Sequence, residues 1–369
     1  MANESADVVV IGGGAVGTSV AYHLTELGVA SVLLLERDAL GSGSTSKSAG
    51  GIRTQFADEV NIRIALRSLC EFQAFEERFG IDVAFRQSGY LFLLDQDADV
   101  ERFDAALALQ ASLGVPSRRL TPAAIAEMVP QLETGDLLAG TFCPLDGYAT
   151  PEAVVAGYAA AARERGARIR QGDAVERIDV RDGRVVAVET GSSRIATSAV
   201  VCAAGAWSRH VGALAGVELP VEAELRTMHY TPEADALPDS LPLTIDFSTG
   251  FYFHREGPGL VFGGRQTALD ELAVAATKRL PLLADLPVHT SWSGYYEMSP
   301  DRNGIVGETA EPARFLYATG FSGHGFQQSP AVGEYLAELA VERTPTLDLS
   351  ALSLERFALG ERRPEQFVI

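Results

Sequence analysis

The chain has 369 residues, 47% hydrophobic and 21% charged, and its 49 Asp and Glu outweigh 30 Lys and Arg to leave a formal net charge of −19. That acidity excludes the clustered cations on which nucleic-acid backbones and anionic membrane surfaces depend. The 36 glycines follow no collagen-like period, which excludes a fibrous chain, and the length suits two domains or one with a large insertion.

Met1 to Asp7 lacks a basic leader, and Gly12, Gly13 and Gly14 break the apolar run behind it, so neither a signal peptide nor a membrane span is expected there. Val8 to Ile11 is wholly apolar, the pattern of a buried parallel strand. Val16, Val20, Leu24 and Leu27 recur at helical spacing with Gly28 as a stop, and a second apolar run, Val32 to Leu35, ends at Glu36. This is a βαβ unit with a right-handed crossover. The small, polar segment Gly41 to Gly51 is too flexible for a regular element without a ligand. One helix is expected through Ile62, Leu66, Leu69, Phe72, Phe75 and Phe79. Tyr90 to Leu94 reads as a strand, and residues 97–113 and 121–130 as helices, the second with Thr121 as N-cap and Pro122 at its first position.

Thr150, Pro151 and Glu152 open a further helix that closes near Gly166. Val175 to Val180 and Val185 to Val188 flank an Asp182-Gly183 turn, which predicts a hairpin. Strands follow at Ala199 to Ala203 and Phe315 to Thr319, residues 220–300 are β-rich, and a last helix runs from about Phe326 to Val341. Dinucleotide-type segments thus occur at both ends and in the middle, implying a nucleotide domain interrupted by a second one. Cys70, Cys143 and Cys202 are odd in number and far apart, as reduced thiols of a cytoplasmic protein would be.

Gly12, Gly14 and Gly17 form G-x-G-x-x-G between strand and helix, and Glu36 stands 19 positions after Gly17. The first glycine permits the tight turn, the second lets backbone approach a pyrophosphate, and the third lets the helix pack on the strand. The helix N-terminus, at Ala15 and Val16, offers N–H groups to phosphate, while the Glu36 carboxylate accepts ribose hydroxyls and disfavours a 2′-phosphate. Arg37 and Val175 are placed at the same site. The motif alone does not separate FAD from NAD. FAD is favoured by its place at the extreme N-terminus and by a second close-approach turn, Ala203-Ala204-Gly205-Ala206-Trp207. It is also favoured by the glycines before the last helix, whose N-terminus suits the anionic edge of a reduced flavin.

The stretches VVVIGGGAVGTSVAYHL, GSTSKSAGGIR, CAAGAWS, YYEMSPDRNGIVG and ATGFSGHGFQQSPAVG resemble the family of D-amino-acid oxidase, glycine oxidase, monomeric sarcosine oxidase and dimethylglycine dehydrogenase over nearly the whole chain. The resemblance implies an α/β and α+β architecture: a FAD-binding Rossmann-like βαβ domain (residues 1–85, 145–220 and 298–369) interrupted by a substrate domain with a mainly antiparallel sheet (residues 86–144 and 221–297). It also implies hydride removal from the carbon beside an amine nitrogen, giving an imine. Gly294 and Ser48 stand where relatives carry flavin-tethering Cys and His, so FAD is expected to be non-covalent. The oxygen-activating lysine of sarcosine oxidase aligns with Val261 and a nearby active-site His with Arg265, which leaves oxygen and another electron acceptor equally open.

The same likeness gives Arg53 the substrate carboxylate, against a salt bridge or flavin-phosphate contact as alternatives, and puts Gln327, which is counted with Gly325 and Phe326 among the FAD-binding residues, where a second anchoring lysine stands. His324, between Gly323 and Gly325-Phe326, is expected at the flavin edge, where its charge would support the reduced ring. Tyr252 and His254 alternate on a strand and would line the substrate cavity from one face. Ser44, Thr45, Ser48, Ala49 and Gly50 would hold the pyrophosphate or ribityl chain beside Lys47. No His, Cys, Asp or Glu cluster has ligand spacing, so no metal is expected. The expected activity is FAD-dependent oxidation of a small amino acid or N-alkylated amine. A 2-hydroxy-acid oxidoreductase, which needs a histidine base, and a flavin-binding subunit of a larger complex are the alternatives.

Overall fold

The computed structural model describes residues 2–232 and 234–368. Its first sheet has eight strands, and six form the path Ile305–Glu308, Phe315–Thr319, Ser193–Cys202, Ala2–Ile11, Val32–Glu36 and Arg168–Gln171. Ala2–Ile11 pairs in parallel with both neighbours, Val8 opposite Val32 and Ala199. Val8 and Val10 pack on one face of the sheet, Val9 and Ile11 on the other. Burial on both faces is why this strand reads as a continuous apolar run instead of an alternating one. The helices Ala15–Glu26, Pro151–Glu164 and Gly325–Ala340 cover the first of these faces. The last crosses the first closely because Gly333 has no Cβ to collide with Ser19.

The second sheet also has eight strands, in the order Thr290–Met298, Glu222–Thr231, Gly259–Gly263, Tyr252–Glu256, Leu243–Asp246, Tyr90–Leu94, Ala139–Cys143 and Arg118–Leu120. All pairs are antiparallel except Leu243–Asp246 with Tyr90–Leu94. Along Tyr90–Leu94 the faces alternate: Leu91 and Leu93 pack under the helices Pro122–Met128 and Leu269–Arg279, and Tyr90, Phe92 and Leu94 join an aromatic cluster with Phe103, Phe247 and Phe367. That aromatic face is the one turned toward the candidate site.

The Asp182-Gly183 turn has positive φ at both residues, 49° and 70°, as a tight hairpin demands. Thr121 caps its helix by accepting from Ala124 N. Two expectations change. The helix through Phe79 breaks at Ala74 into Glu59–Gln73 and Phe75–Phe79. The β-rich region carries a helix, Leu269–Arg279, laid on the second sheet. Gly41 to Gly51 contains a 3-10 turn at Thr45–Lys47 and is tied to its surroundings: Gly41 N donates to Gly13 O (2.9 Å), Ser44 Oγ to Tyr295 O (2.6 Å) and Trp292 Nε1 to Lys47 O (3.2 Å). Among the described residues no helix is long and apolar enough to cross a membrane, and no group of three or more His, Cys, Asp or Glu could hold a metal ion.

Candidate active site

A cleft of about 400 Å³ opens at the carboxyl end of the parallel strands, where ligands bind in such sheets. Gly12, Gly14, Ala15, Val16, Glu36, Arg37, Ser44, Thr45, Val175, Ala204, Gly205, Trp207, Gly323 and Gly325 all line it. Gly12 has φ +111°, and a Cβ there would run into the Ala203 carbonyl. Gly17 lies behind the wall, where a Cβ would meet the Gly12 carbonyl, so it serves helix packing. Gly14 is the N-cap of Ala15–Glu26 with no side-chain cap, so amides at that helix end face the cleft. Ala15 N donates to Thr45 Oγ1 at 3.1 Å. Glu36 accepts from Gly13 N (2.7 Å) and Asp38 N (2.8 Å), which fixes its carboxylate at the mouth, and the Arg37 guanidinium lies 3.8 Å over the Trp207 ring.

This cradle fits a dinucleotide. A Cβ at Gly14 would stand 3.0 Å from Thr45 Oγ1, displacing the hydroxyl that orients the helix end. Gly14→Ala is therefore expected to weaken FAD binding about tenfold, one lost hydrogen bond's worth of ~1.4 kcal/mol, while the fold persists; titrating apoprotein with FAD by flavin fluorescence checks it.

Glu297 also lines this cleft and was not singled out in the sequence, although it alternates with Tyr296 along Thr290–Met298. Thr319 Oγ1 donates to it at 3.2 Å, and a Cβ at Gly325 would lie 3.4 Å from its oxygen. Burial pushes its carboxyl up to about 7.

A smaller cavity of about 70 Å³ shares Ser48, Ala49, Tyr252, Tyr296, Gly323 and Phe326 with the cleft. Gly50, Arg53, Tyr90, His324, Gln327 and Phe367 line it further. Gly50, His324 and Gln327, assigned to the cofactor in the sequence, thus face this cavity instead of the cleft. Gln327 Oε1 accepts from Arg53 N at 2.7 Å, so the residue in the lysine's place shapes the backbone that carries Arg53. Asp146 holds the same turn, accepting from Thr54 N (2.8 Å) and Thr54 Oγ1 (2.6 Å).

Arg53 is 3% exposed and has no carboxylate within ion-pair distance among the described residues. Its Nη2 approaches His324 Nε2 (2.8 Å) and donates to Phe367 O (2.8 Å), its Nη1 donates to Gln55 O, and its cation lies 4.1 Å over the Phe56 ring. Burial lowers its pKa, an effect partly offset by Tyr90, Glu365 and Asp146 nearby.

Two expectations are corrected here. His324 does not bring a charge: burial and the adjacent Arg53 hold its pKa well below the ordinary value, so its neutral ring accepts from the guanidinium. His254 does not line either cavity. Two residues beyond Tyr252 its strand has passed the site, and the ring stacks on Tyr148 at 4.2 Å with Nδ1 on the Arg255 carbonyl (2.7 Å). Burial pushes its pKa down to about 4. Tyr252 does stand between cleft and cavity, its hydroxyl 2.8 Å from Met228 Sδ. Val261 is buried in the second sheet and reaches neither space.

The FAD-dependent oxidoreductase domain-containing protein 1 of Bos taurus is 31% identical over 99% of this chain and 87% of its own length. The mitochondrial sarcosine dehydrogenase of Mus musculus is 28% identical over 96% of this chain, which spans only 42% of that enzyme. The crystal structure of L-proline dehydrogenase from P. horikoshii superposes with a TM-score of 0.92 at 33% identity, covering 98% of this chain and 100% of that one. The family designated DAO, FAD dependent oxidoreductase, matches residues 7–339, and the chain belongs to it.

Proposed function

We propose that the protein binds FAD non-covalently and removes a hydride from the carbon next to nitrogen in a small amino acid or N-alkylated amino acid, giving an imine that water hydrolyses. The observation that carries this reading is Arg53: a buried cation with no carboxylate within ion-pair distance among the described residues, on a cavity that shares lining residues with the nucleotide cleft. A substrate carboxylate supplies the missing charge through charge-assisted hydrogen bonds. Bound FAD supplies the hydride acceptor. Arg53 sets the substrate's position, and Tyr90, Tyr252 and Tyr296 exclude water from the reacting carbon. The substrate reacts as the neutral amine, whose lone pair assists departure of the hydride.

The 2-hydroxy-acid alternative needs a histidine base. His254 is outside the cavity and His324 Nε2 already faces Arg53, which favours the amine. Non-covalent binding is supported at Gly294, where a Cβ would run into Lys47, leaving no space for a tethering cysteine. Anaerobic addition of small N-methyl and cyclic amino acids is expected to bleach the flavin band of the purified holoenzyme, and acid precipitation to release the flavin into the supernatant. Readmitting air then distinguishes oxygen from another electron acceptor. A panel of amines and amino acids that leaves the band intact overturns the proposal.

A further inference from the structure

We propose that Arg363–Val368 forms a working wall of the substrate cavity and that Phe367 is a positioning residue for Arg53, an inference that rests on the carboxylate role of Arg53. The Ser-Pro-Asp-Arg-Asn part of the flavin-family motif, residues 299–303, supplies the fastening. Asp301 Oδ2 accepts from Arg363 N (3.1 Å), Asp301 O accepts from Glu365 N (3.1 Å), and Asn303 Nδ2 donates to Arg363 O (3.2 Å). Asp301 is itself held by Arg356 at 2.8 Å. Neither Asp301 nor Asn303 lines the cleft or the cavity, so their work at this site is done through the segment they pin.

Within the segment, Glu365 Oε1 accepts from Phe367 N at 2.9 Å, which orients the next peptide. The Phe367 ring is 1% exposed and stacks on Phe103 with centroids 3.9 Å apart and planes 9° from parallel. The carbonyl of the same residue accepts from Arg53 Nη2. A guanidinium has five N–H donors, and three of them already point at Gln55 O, His324 Nε2 and Phe367 O. Those contacts fix the plane of the fork before any ligand arrives, lowering the ordering cost of carboxylate binding. The Phe367 carbonyl is the only one of the three whose carrier is separated from Arg53 by 314 positions and held by a surface-exposed tether, residues 361–364.

The test compares holoenzyme carrying Phe367→Ala, Phe367→Leu and no substitution, using acetate as probe and perturbation of the flavin absorption band as readout, together with steady-state kinetics on the amine substrate. Phe367→Ala, which frees the carbonyl by removing the stacked ring, is expected to raise the acetate Kd and the substrate KM about tenfold with kcat within about twofold. Phe367→Leu keeps apolar bulk and is expected to recover most of the affinity. An acetate Kd unchanged in Phe367→Ala overturns the proposal, as does a fall in kcat with KM unchanged. Acetate that perturbs neither the wild type nor any variant overturns the Arg53 reading itself, and this inference with it.

Discussion

Arg53→Leu is expected to lower kcat/KM on a carboxylate-bearing substrate by about three orders of magnitude, while the protein still binds FAD and keeps its fold. Truncating one side of a buried, hydrogen-bonded charge pair costs roughly 2–5 kcal/mol, and ~4 kcal/mol is about a thousandfold. Most of this should appear in KM, because the carboxylate contact exists in both the bound substrate and the transition state. The melting temperature has no reason to fall in proportion. Arg53 is a buried cation whose desolvation is not repaid by an ion pair among the described residues, so leucine removes a cost along with three hydrogen bonds. Arg53→Lys returns the charge without the planar fork and should recover only part of the loss, about tenfold. An amine substrate lacking a carboxylate provides the control: its kcat/KM should differ little among the three proteins. Equal losses on both substrates would show that Arg53 supports the fold or the flavin instead of the carboxylate.

The parts legible in the sequence are those that local physics dictates. Val8 to Ile11, Val32 to Leu35 and Phe315 to Ala318 are buried on both faces, and each appears as an unbroken apolar run. The Gly12 turn needs positive φ and a side chain of zero size, so the residue type alone reveals it. The smaller cavity is different in kind. Arg53 meets Gln327 across 274 positions, His324 across 271 and Phe367 across 314. No periodicity or local motif encodes such meetings. The motif around His324 carries no information on its charge, because that depends on burial and on Arg53, which comes from another part of the chain. His254 was judged by strand alternation, which gives the face of a residue and not how far along the strand the site extends. Leu269–Arg279 buries Leu272, Ala275, Ala276 and Arg279 at helical spacing on the second sheet, a local signal that its β-rich surroundings obscure.

Glu365→Gln is expected to make the protein more stable than the wild type at pH 9 and nearly equal to it at pH 5. Burial is the first cause of the shift at Glu365, whose carboxyl is pushed up to about 8; Asp58 adds to it and Arg53 opposes it. A carboxyl with a raised folded-state pKa favours the folded protein only while protonated. That contribution is whole below the ordinary glutamate value near 4.5 and is lost as pH rises through about 8. At about 1.4 kcal/mol per pKa unit the difference between the two ends is roughly 3–5 kcal/mol, discounted at the low end because the Arg53 cation opposes the shift. Glutamine imitates the protonated acid: its amide oxygen accepts from Phe367 N as Glu365 does, and its NH2 can donate toward Asp58 where the carboxyl proton would. Glu297 repeats the logic with a step near pH 7, and Glu297→Gln should remove that step separately. Chemical unfolding followed by circular dichroism at pH 5, 7 and 9 tests both. Parallel curves for wild type and Glu365→Gln across that range would mean that residue 365 is solvated enough to ionise normally, and that the segment fastened to Asp301 lies less deeply over Arg53 than its hydrogen bonds indicate.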